Sequence, residues 1–357
     1  MTEFLSNLVK ELDDENTSIA SDGKSSAEFS GTIDTGSYIL NAVLSGSLKG
    51  GVPNNKITAF AGETGTGKTF FVLGIVAQYL KDHPEGGVIY FDTESAVSNE
   101  MMQTRGIDIN RLIKSEPDTI QKFRHTALQI LEKYIEQELD ERRPMMMVLD
   151  SLGQLSSTKE IEDTAKGDET RDMSKAQVLK ATFRVLNLKL AKANVPLLVT
   201  NHVYDVVGSY FPQKEMSGGT GLKYSASLIA DLKKKPERID KEIIGNIIKV
   251  KMRKSRISRE NREVECLLTY DHGLDRHYGL VELGIKGELF KKVSNRIEFP
   301  NGTKQFAKTV YENPTEYFTE DVIDKLELIA QQEFQYGIYD EDDEVEIEEE
   351  EKPEIDE

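Results

Sequence analysis

The sequence predicts an α/β fold: a mainly parallel, twisted sheet flanked by helices, with a short helix before it and a small α/β domain after it. Three observations predict this. Apolar runs recur at 56–61 (KITAFA), 88–92 (VIYFD), 145–150 (MMMVLD) and 196–201 (PLLVTN); helix-length periodic segments lie near 67–80, 118–141 and 174–193; and a glycine-rich turn joins the first run to the first helix. Unbroken apolar runs are what strands buried on both faces require.

In chain order, residues 1–16 place Phe4, Leu5, Leu8, Val9 and Leu12 on one helical face, opposite Glu3, Lys10 and Asp13. This amphipathic helix either packs on its own core or reaches away, since ENTSIASDGKSSAEFSG after it has the composition of a linker. The four apolar runs and their helices form the body. After residue 225, SLIADLK, NIIKVKM and VECLLTY alternate more and are expected as partly exposed antiparallel strands at the sheet edge. Turn signals (DHG, PNGT, ENP) divide two periodic segments over 270–335. The plan is therefore 1–29 helix and linker, 30–269 body, 270–337 small domain and 338–357 acidic tail, with no internal repeat.

Composition excludes several classes. No run approaches the roughly 18 apolar residues of a membrane span, and MTEFLSNLVKEL lacks the features of a secretory leader. The single cysteine, Cys266, forms no internal disulfide, and the five histidines show no metal-binding spacing, so a reducing, cytoplasmic setting is expected. The net charge of −18 is uneven: residues 340–357 carry −12, which leaves −6 for the other 339, while 231–262 carry +7. A basic segment in a nearly balanced body keeps polyanionic partners open. The tail reads as a solvated, charge-repelled segment or as a regulatory one.

Gly62-Glu63-Thr64-Gly65-Thr66-Gly67-Lys68-Thr69 matches G-x-x-x-x-G-K-[ST] between a strand and a helix. Such a loop curls its N–H groups around phosphates, with Lys68 on the β/γ-phosphates and the Thr69 hydroxyl on Mg²⁺. Asp150 ends a buried run at the sheet's carboxyl edge and suits the Mg²⁺ shell, through water. Glu94 is the candidate to orient and deprotonate the attacking water, with Asp92 as competitor. His202 ends another run and either contacts the γ-phosphate or is structural. Beyond it, Val203, Tyr204, Val206, Val207, Tyr210 and Phe211 form an apolar, aromatic stretch before Gly218 and Gly219, suited to a mobile base-binding element or to a buried hairpin. The polar connection 156–173 leads into Lys175, Lys180 and Arg184, either phosphate contacts or a solvated face. In KVKMRKSR, alternation points Lys249, Lys251 and Arg253 one way and Lys254 and Arg256 the other; these cations suit a neighbouring subunit's nucleotide, DNA contact or edge protection.

With DTGSYILNAVLSGSLKGGVPNNKITAFAGETGTGKT, FDTES, MMMVLDSLGQLSS, VTNHVYD, SGGTGLKYSAS and KMRKSR in this order, the chain resembles the RecA-type recombinases, and among them the UvsX group of tailed bacteriophages, over about 30–335. The resemblance implies a RecA-like P-loop NTPase core binding ATP and Mg²⁺. It implies Glu94 as catalytic glutamate and His202 at the place of a glutamine that links γ-phosphate to DNA. It makes 203–217, with Lys214, one DNA loop and 156–173, with Arg171, another. Lys254 and Arg256 become the cations that cross the subunit interface, the N-terminal helix docks on the adjacent protomer, and the tail restrains DNA access. Met101 stands where the family places a tyrosine over adenine. The expectation is an ATP-dependent recombinase that forms a helical filament on single-stranded DNA and pairs it with homologous duplex. A single-strand-binding protein and a mediator are its implied helpers, with no membrane partner. A ring-forming helicase motor and a non-catalytic ATP-gated loader are the alternatives.

Overall fold

The structure is a computed structural model that describes residues 2–12, 17, 19–20, 31–167, 174–205, 214–218, 220–239 and 242–337. The acidic tail, and the DNA-contact candidates Arg171, Val206, Val207, Tyr210, Phe211 and Gly219, lie outside the described residues.

Helix α1 (Thr2–Leu12) leads, and β1 (Thr32–Ile33) pairs antiparallel with β2 (Val52–Pro53) around α2 (Tyr38–Ser45). The body follows as β3 (Ile57–Gly62), α3 (Lys68–Asp82), β4 (Gly87–Asp92), α4 (Asn99–Gln103), β5 (Leu112–Ser115), α5 (Ile120–Ile135), β6 (Met145–Asp150), α6 (Thr158–Ala165), α7 (Lys175–Ala193) and β7 (Leu197–Asp205). Then come β8 (Lys214–Met216), α8 (Thr220–Ser225), β9 (Leu228–Ile239), β10 (Glu242–Ser255), β11 (Glu263–Thr269) and β12 (Gly273–Leu274). The C-terminal part contains α9 (Leu280–Lys286), the three-stranded β13 (Lys291–Val293), β14 (Arg296–Glu298), β15 (Lys304–Gln305), and α10 (Ala307–Glu312), α11 (Pro314–Tyr317) and α12 (Glu320–Phe334).

The main sheet runs β12-β11-β10-β9-β3-β7-β6-β4-β5, with β8 paired to β7. Strands β9, β3, β7, β6, β4 and β5 are mutually parallel, and β10 to β12 continue the sheet antiparallel. Alternate residues of each central strand feed opposite cores. Phe60, Tyr90, Val148 and Leu198 pack with α2 and α3, whereas Ala59, Phe91, Leu149 and Val199 pack with α5 and α7. The first of these cores also takes in Phe290, Phe318, Leu326 and Phe334, so the C-terminal elements share apolar packing with the body.

Three expectations are corrected, and one strand was not foreseen. Strand β9 is not an antiparallel edge strand: it lies inside the sheet, parallel to β3, and Leu228, Ile229 and Ala230 are fully buried. Strand β5, unheralded because its LIKS sequence is short and polar, pairs with β4 at the far edge. Helix α5 stops at Ile135 because the Arg142 guanidinium takes the carbonyls of Ile135 and Gln137 that another turn would use. In β10 a register shift between Met252 and Lys254 adds one residue, so burial passes from Val250 and Met252 to Ser255. Lys254 and Arg256 therefore share the outward face of Lys249 and Lys251 rather than opposing it.

Cys266 is fully buried in β11, and burial pushes its thiol up to about 12. A thiol reagent is expected to modify it only after unfolding; modification of the native protein at the denatured rate would contradict this packing.

Candidate nucleotide and nucleic-acid site

The registers Gly62↔His202 and Asp92↔Asp150 set four motif residues in one row along the carboxyl edge of the sheet. Ligands of open α/β sheets bind at this edge. The loop after β3 turns at Gly65 and Gly67, whose φ of +73° and +93° disfavour a side chain, and then opens helix α3. Lys68 is buried, and its Nζ donates to the carbonyls of Gly62 and Glu63 at 3.0 Å each and lies 3.3 Å from His202 Nδ1. Burial lowers the Lys68 pKa, against the upward pull of Glu94 and Asp150, yet the ammonium touches no carboxylate among the described residues. A buried cation with neutral partners at a helix N-terminus is a site for an anion.

Glu94 and His202 complete the constellation. His202 Nε2 lies 2.9 Å from Glu94 Oε1, and the Ser151 hydroxyl donates to the same oxygen at 2.7 Å. One neutral tautomer satisfies both sides of the ring, with Nε2–H donating to Glu94 and Nδ1 accepting from Lys68. Burial raises the Glu94 pKa, but the bonds from His202 and Ser151 and the charge of Lys68 outweigh it, leaving the carboxyl below its ordinary value. Glu94 is thus an ionised carboxylate at the exposed edge, oriented by His202 and Ser151.

Asp92 has another task. It is 1% exposed, accepts from the N–H groups of Glu94, Ala96 and Val97, and pairs with Lys114 at 3.1 Å. These bonds shape the turn that presents Glu94. Asp92→Ala is expected to destabilise the fold by about 2–3 kcal/mol in urea unfolding, the cost of orphaning several buried partners; a change below about 0.5 kcal/mol would contradict it.

Asp150 is also buried, accepting from the Tyr90 hydroxyl at 2.7 Å and from Thr200. Burial and Asp150 together hold the Tyr90 hydroxyl well above its ordinary range, so it donates as a neutral phenol. The two hydroxyls are bonded to different oxygens of the carboxylate, Tyr90 to Oδ2 and Thr200 to Oδ1. Thr69, next to Lys68 in the first turn of α3, has its hydroxyl without a side-chain hydrogen bond among the described residues. Sequence reading missed Tyr90, Ser151 and Thr200, since a tyrosine in an apolar strand and hydroxyls in ordinary runs carry no motif.

The segment beyond His202 starts as a hairpin: Val203, Tyr204 and Asp205 pair with Met216, Glu215 and Lys214. Val203 packs against the second core and Tyr204 is 52% exposed, so the two differ although both were expected in the loop. Lys214 pairs with Glu63 of the phosphate loop, and Gly218 is small because a Cβ there would lie 3.0 Å from Leu179. Lys175 pairs with Glu160 across the ends of the 156–173 connection, while Arg184 lies exposed two and a half turns further along α7. Met101 packs partly into the core from α4. Lys254 and Arg256 lie apart from all of these. Arg256 N bonds Ser227 O, and Ser227 N bonds Ile57 O, which puts Arg256 level with the start of β3, about 16 Å from Gly62 along the strand. Both cations thus lie at the opposite end of β3 from the glycine-rich loop.

This geometry defines an α/β protein with a glycine-rich loop at the carboxyl edge of its sheet, a histidine beside the loop lysine and an ionised carboxylate bonded to that histidine. Residues 3–275 match the RecA N-terminal domain family, and the chain belongs to the RecA family. It is 25% identical over 248 residues to the recombination and repair protein of Enterobacteria phage T4, a match covering 70% of this chain and 62% of that protein. It is 31% identical over 270 residues to the RecA protein of Rhizobium leguminosarum bv. viciae, covering 73% and 71%. The crystal structure of the RadB recombinase is similar in fold, with a TM-score of 0.50 at 22% identity over 69% of this chain and 99% of that one.

Proposed function

We propose that this protein is a DNA-dependent ATPase that polymerises on single-stranded DNA and exchanges it with a homologous duplex, with ATP held where two protomers meet. The observation that carries the reading is the His202 bridge. Its ring contacts Glu94 and Lys68, and its backbone carbonyl accepts from Ser217 at 2.9 Å, at the far end of the hairpin segment. Ring and backbone of His202 together therefore tie the phosphate loop to a segment suited to DNA. Family membership and the T4 relative's name support the recombination setting.

In this mechanism Lys68 and the loop N–H groups hold the β/γ-phosphates. Mg²⁺, when bound, supplies charge neutralisation, with Thr69 and Asp150 as its holders. Glu94 orients water and accepts its proton. His202 gives up its contacts with Glu94 and Lys68 when phosphate takes the lysine, and the hairpin follows the ring. Lys254 and Arg256 supply positive charge to the neighbour's nucleotide, and hydrolysis loosens the polymer. Single-strand-binding and mediator proteins act on the same DNA.

A strand-exchange assay between homologous single-stranded and duplex DNAs tests the reading; joint molecules that require ATP are expected, and their absence with active ATPase would contradict it. DNA affinity is expected to fall with salt along a log–log slope near −4, from about six phosphate contacts on single strands; a flat response would remove backbone-driven binding.

A further inference from the structure

In the first turn of α3, Lys68 and Phe71 are buried, Thr69 is half-buried and Phe70 alone is exposed, at 37%. Phe71 packs on Phe60 in the core, with ring centroids 5.3 Å apart. A single exposed apolar side chain is ordinary. What marks Phe70 is its partner: the Arg105 guanidinium lies over its ring, 4.2 Å from the centroid. Arg105 follows α4, donates from Nη1 to Met101 O at 3.4 Å, and has no carboxylate partner among the described residues. Burial lowers its pKa, and the ring and that carbonyl are the compensation for a partly desolvated charge. The guanidinium covers one face of the ring, and the exposed remainder opens beside the phosphate loop.

A nucleotide held with its β/γ-phosphates on Lys68 carries its sugar and base outward, past the first turn of the helix that the loop opens. The surface met there decides whether base as well as phosphate is bound. Helix α4, joined to that turn through Arg105, offers no ring of its own: Asn99–Gln103 contains no aromatic residue, and Met101 packs partly into the core. We propose that Phe70 is the platform for the nucleobase, which stacks on the open face of the ring. Arg105 is a positioning residue that covers the other face and holds the ring in place. Every base has a π-face, so the platform adds affinity for a nucleoside triphosphate over bare polyphosphate without reading which base it is. This role rests on the reading above, in which the phosphate loop holds a nucleotide.

The test titrates Mg²⁺-ATP and Mg²⁺-tripolyphosphate, which has the phosphates and no base, into the full-length protein by calorimetry without DNA. Phe70→Ala is expected to raise the Kd of ATP about tenfold, the scale of one base–aromatic stack, and to leave that of tripolyphosphate within about twofold. Phe70→Trp keeps a ring and is expected to retain the parental Kd of ATP, whereas Phe70→Leu keeps apolar bulk and is expected to lose it. Arg105→Gln is expected to weaken ATP alone by about threefold, the scale of a cation–π contact at a partly exposed site. An unchanged Kd of ATP in Phe70→Ala or Phe70→Leu would overturn the platform, as would equal weakening of both ligands, which places the effect on the loop. A parent protein that binds neither ligand would remove the phosphate-loop reading, and the platform with it.

Discussion

Replacing Glu94 with Gln is expected to slow ATP turnover by about 10²–10⁴-fold, the range of a positioned general base, while leaving nucleotide binding within a few-fold of the parent. The reason lies in the two hydrogen bonds that converge on one oxygen. His202 and Ser151 both engage Oε1, and the amide of the variant can accept from them but cannot take a proton from water. Because the Glu94 carboxyl titrates below its ordinary value, it stays ionised through the neutral range, and any loss of turnover from its protonation belongs on the acid side. The measurement is steady-state phosphate release beside equilibrium binding of a fluorescent nucleotide. Wild-type turnover would transfer the role away from Glu94 and revive the loader alternative.

Replacing Lys254 and Arg256 together with Ala is expected to cost about 10³-fold or more in DNA-stimulated turnover, the scale of charge supplied from a neighbouring subunit. A protomer's own nucleotide binding is expected to remain, since Arg256 sits level with Ile57 at the opposite end of β3 from the phosphate loop. Two effects compete in the variant. Loss of Lys254 also frees three carbonyls at the end of α8, a local defect worth about 1–3 kcal/mol. Folding checked by urea unfolding separates this defect from the catalytic loss, which at 10³-fold corresponds to about 4 kcal/mol.

The α/β class and the phosphate loop were legible because they depend on local patterns: apolar runs long enough to be buried on both faces, and glycines at positions of positive φ. What was not legible depends on contacts between distant strands. Strand β9 read as an edge because SLIADLK alternates, yet pairing with β3 buries its first half, and Lys233, Lys234 and Lys235 run past the end of β3, paired with β10. The face carrying Lys254 depended on one inserted residue in β10, which no alternation count reveals. Asp92 and Glu94 looked like rivals because both lie at the end of VIYFDTES; only the hydrogen bonds to Asp92 separate a carboxylate that shapes the turn from one bonded to the histidine beside the lysine.

The sharing of one nucleotide by two protomers is tested most directly by mixing two inactive variants. Lys68→Ala lacks the phosphate-binding lysine but keeps the outward cations, and Lys254→Ala/Arg256→Ala is its complement. Mixed one to one on single-stranded DNA, they are expected to regain turnover at the junctions where an intact phosphate loop faces intact cations. A mixture that co-assembles yet stays as inactive as either variant alone would contradict the account.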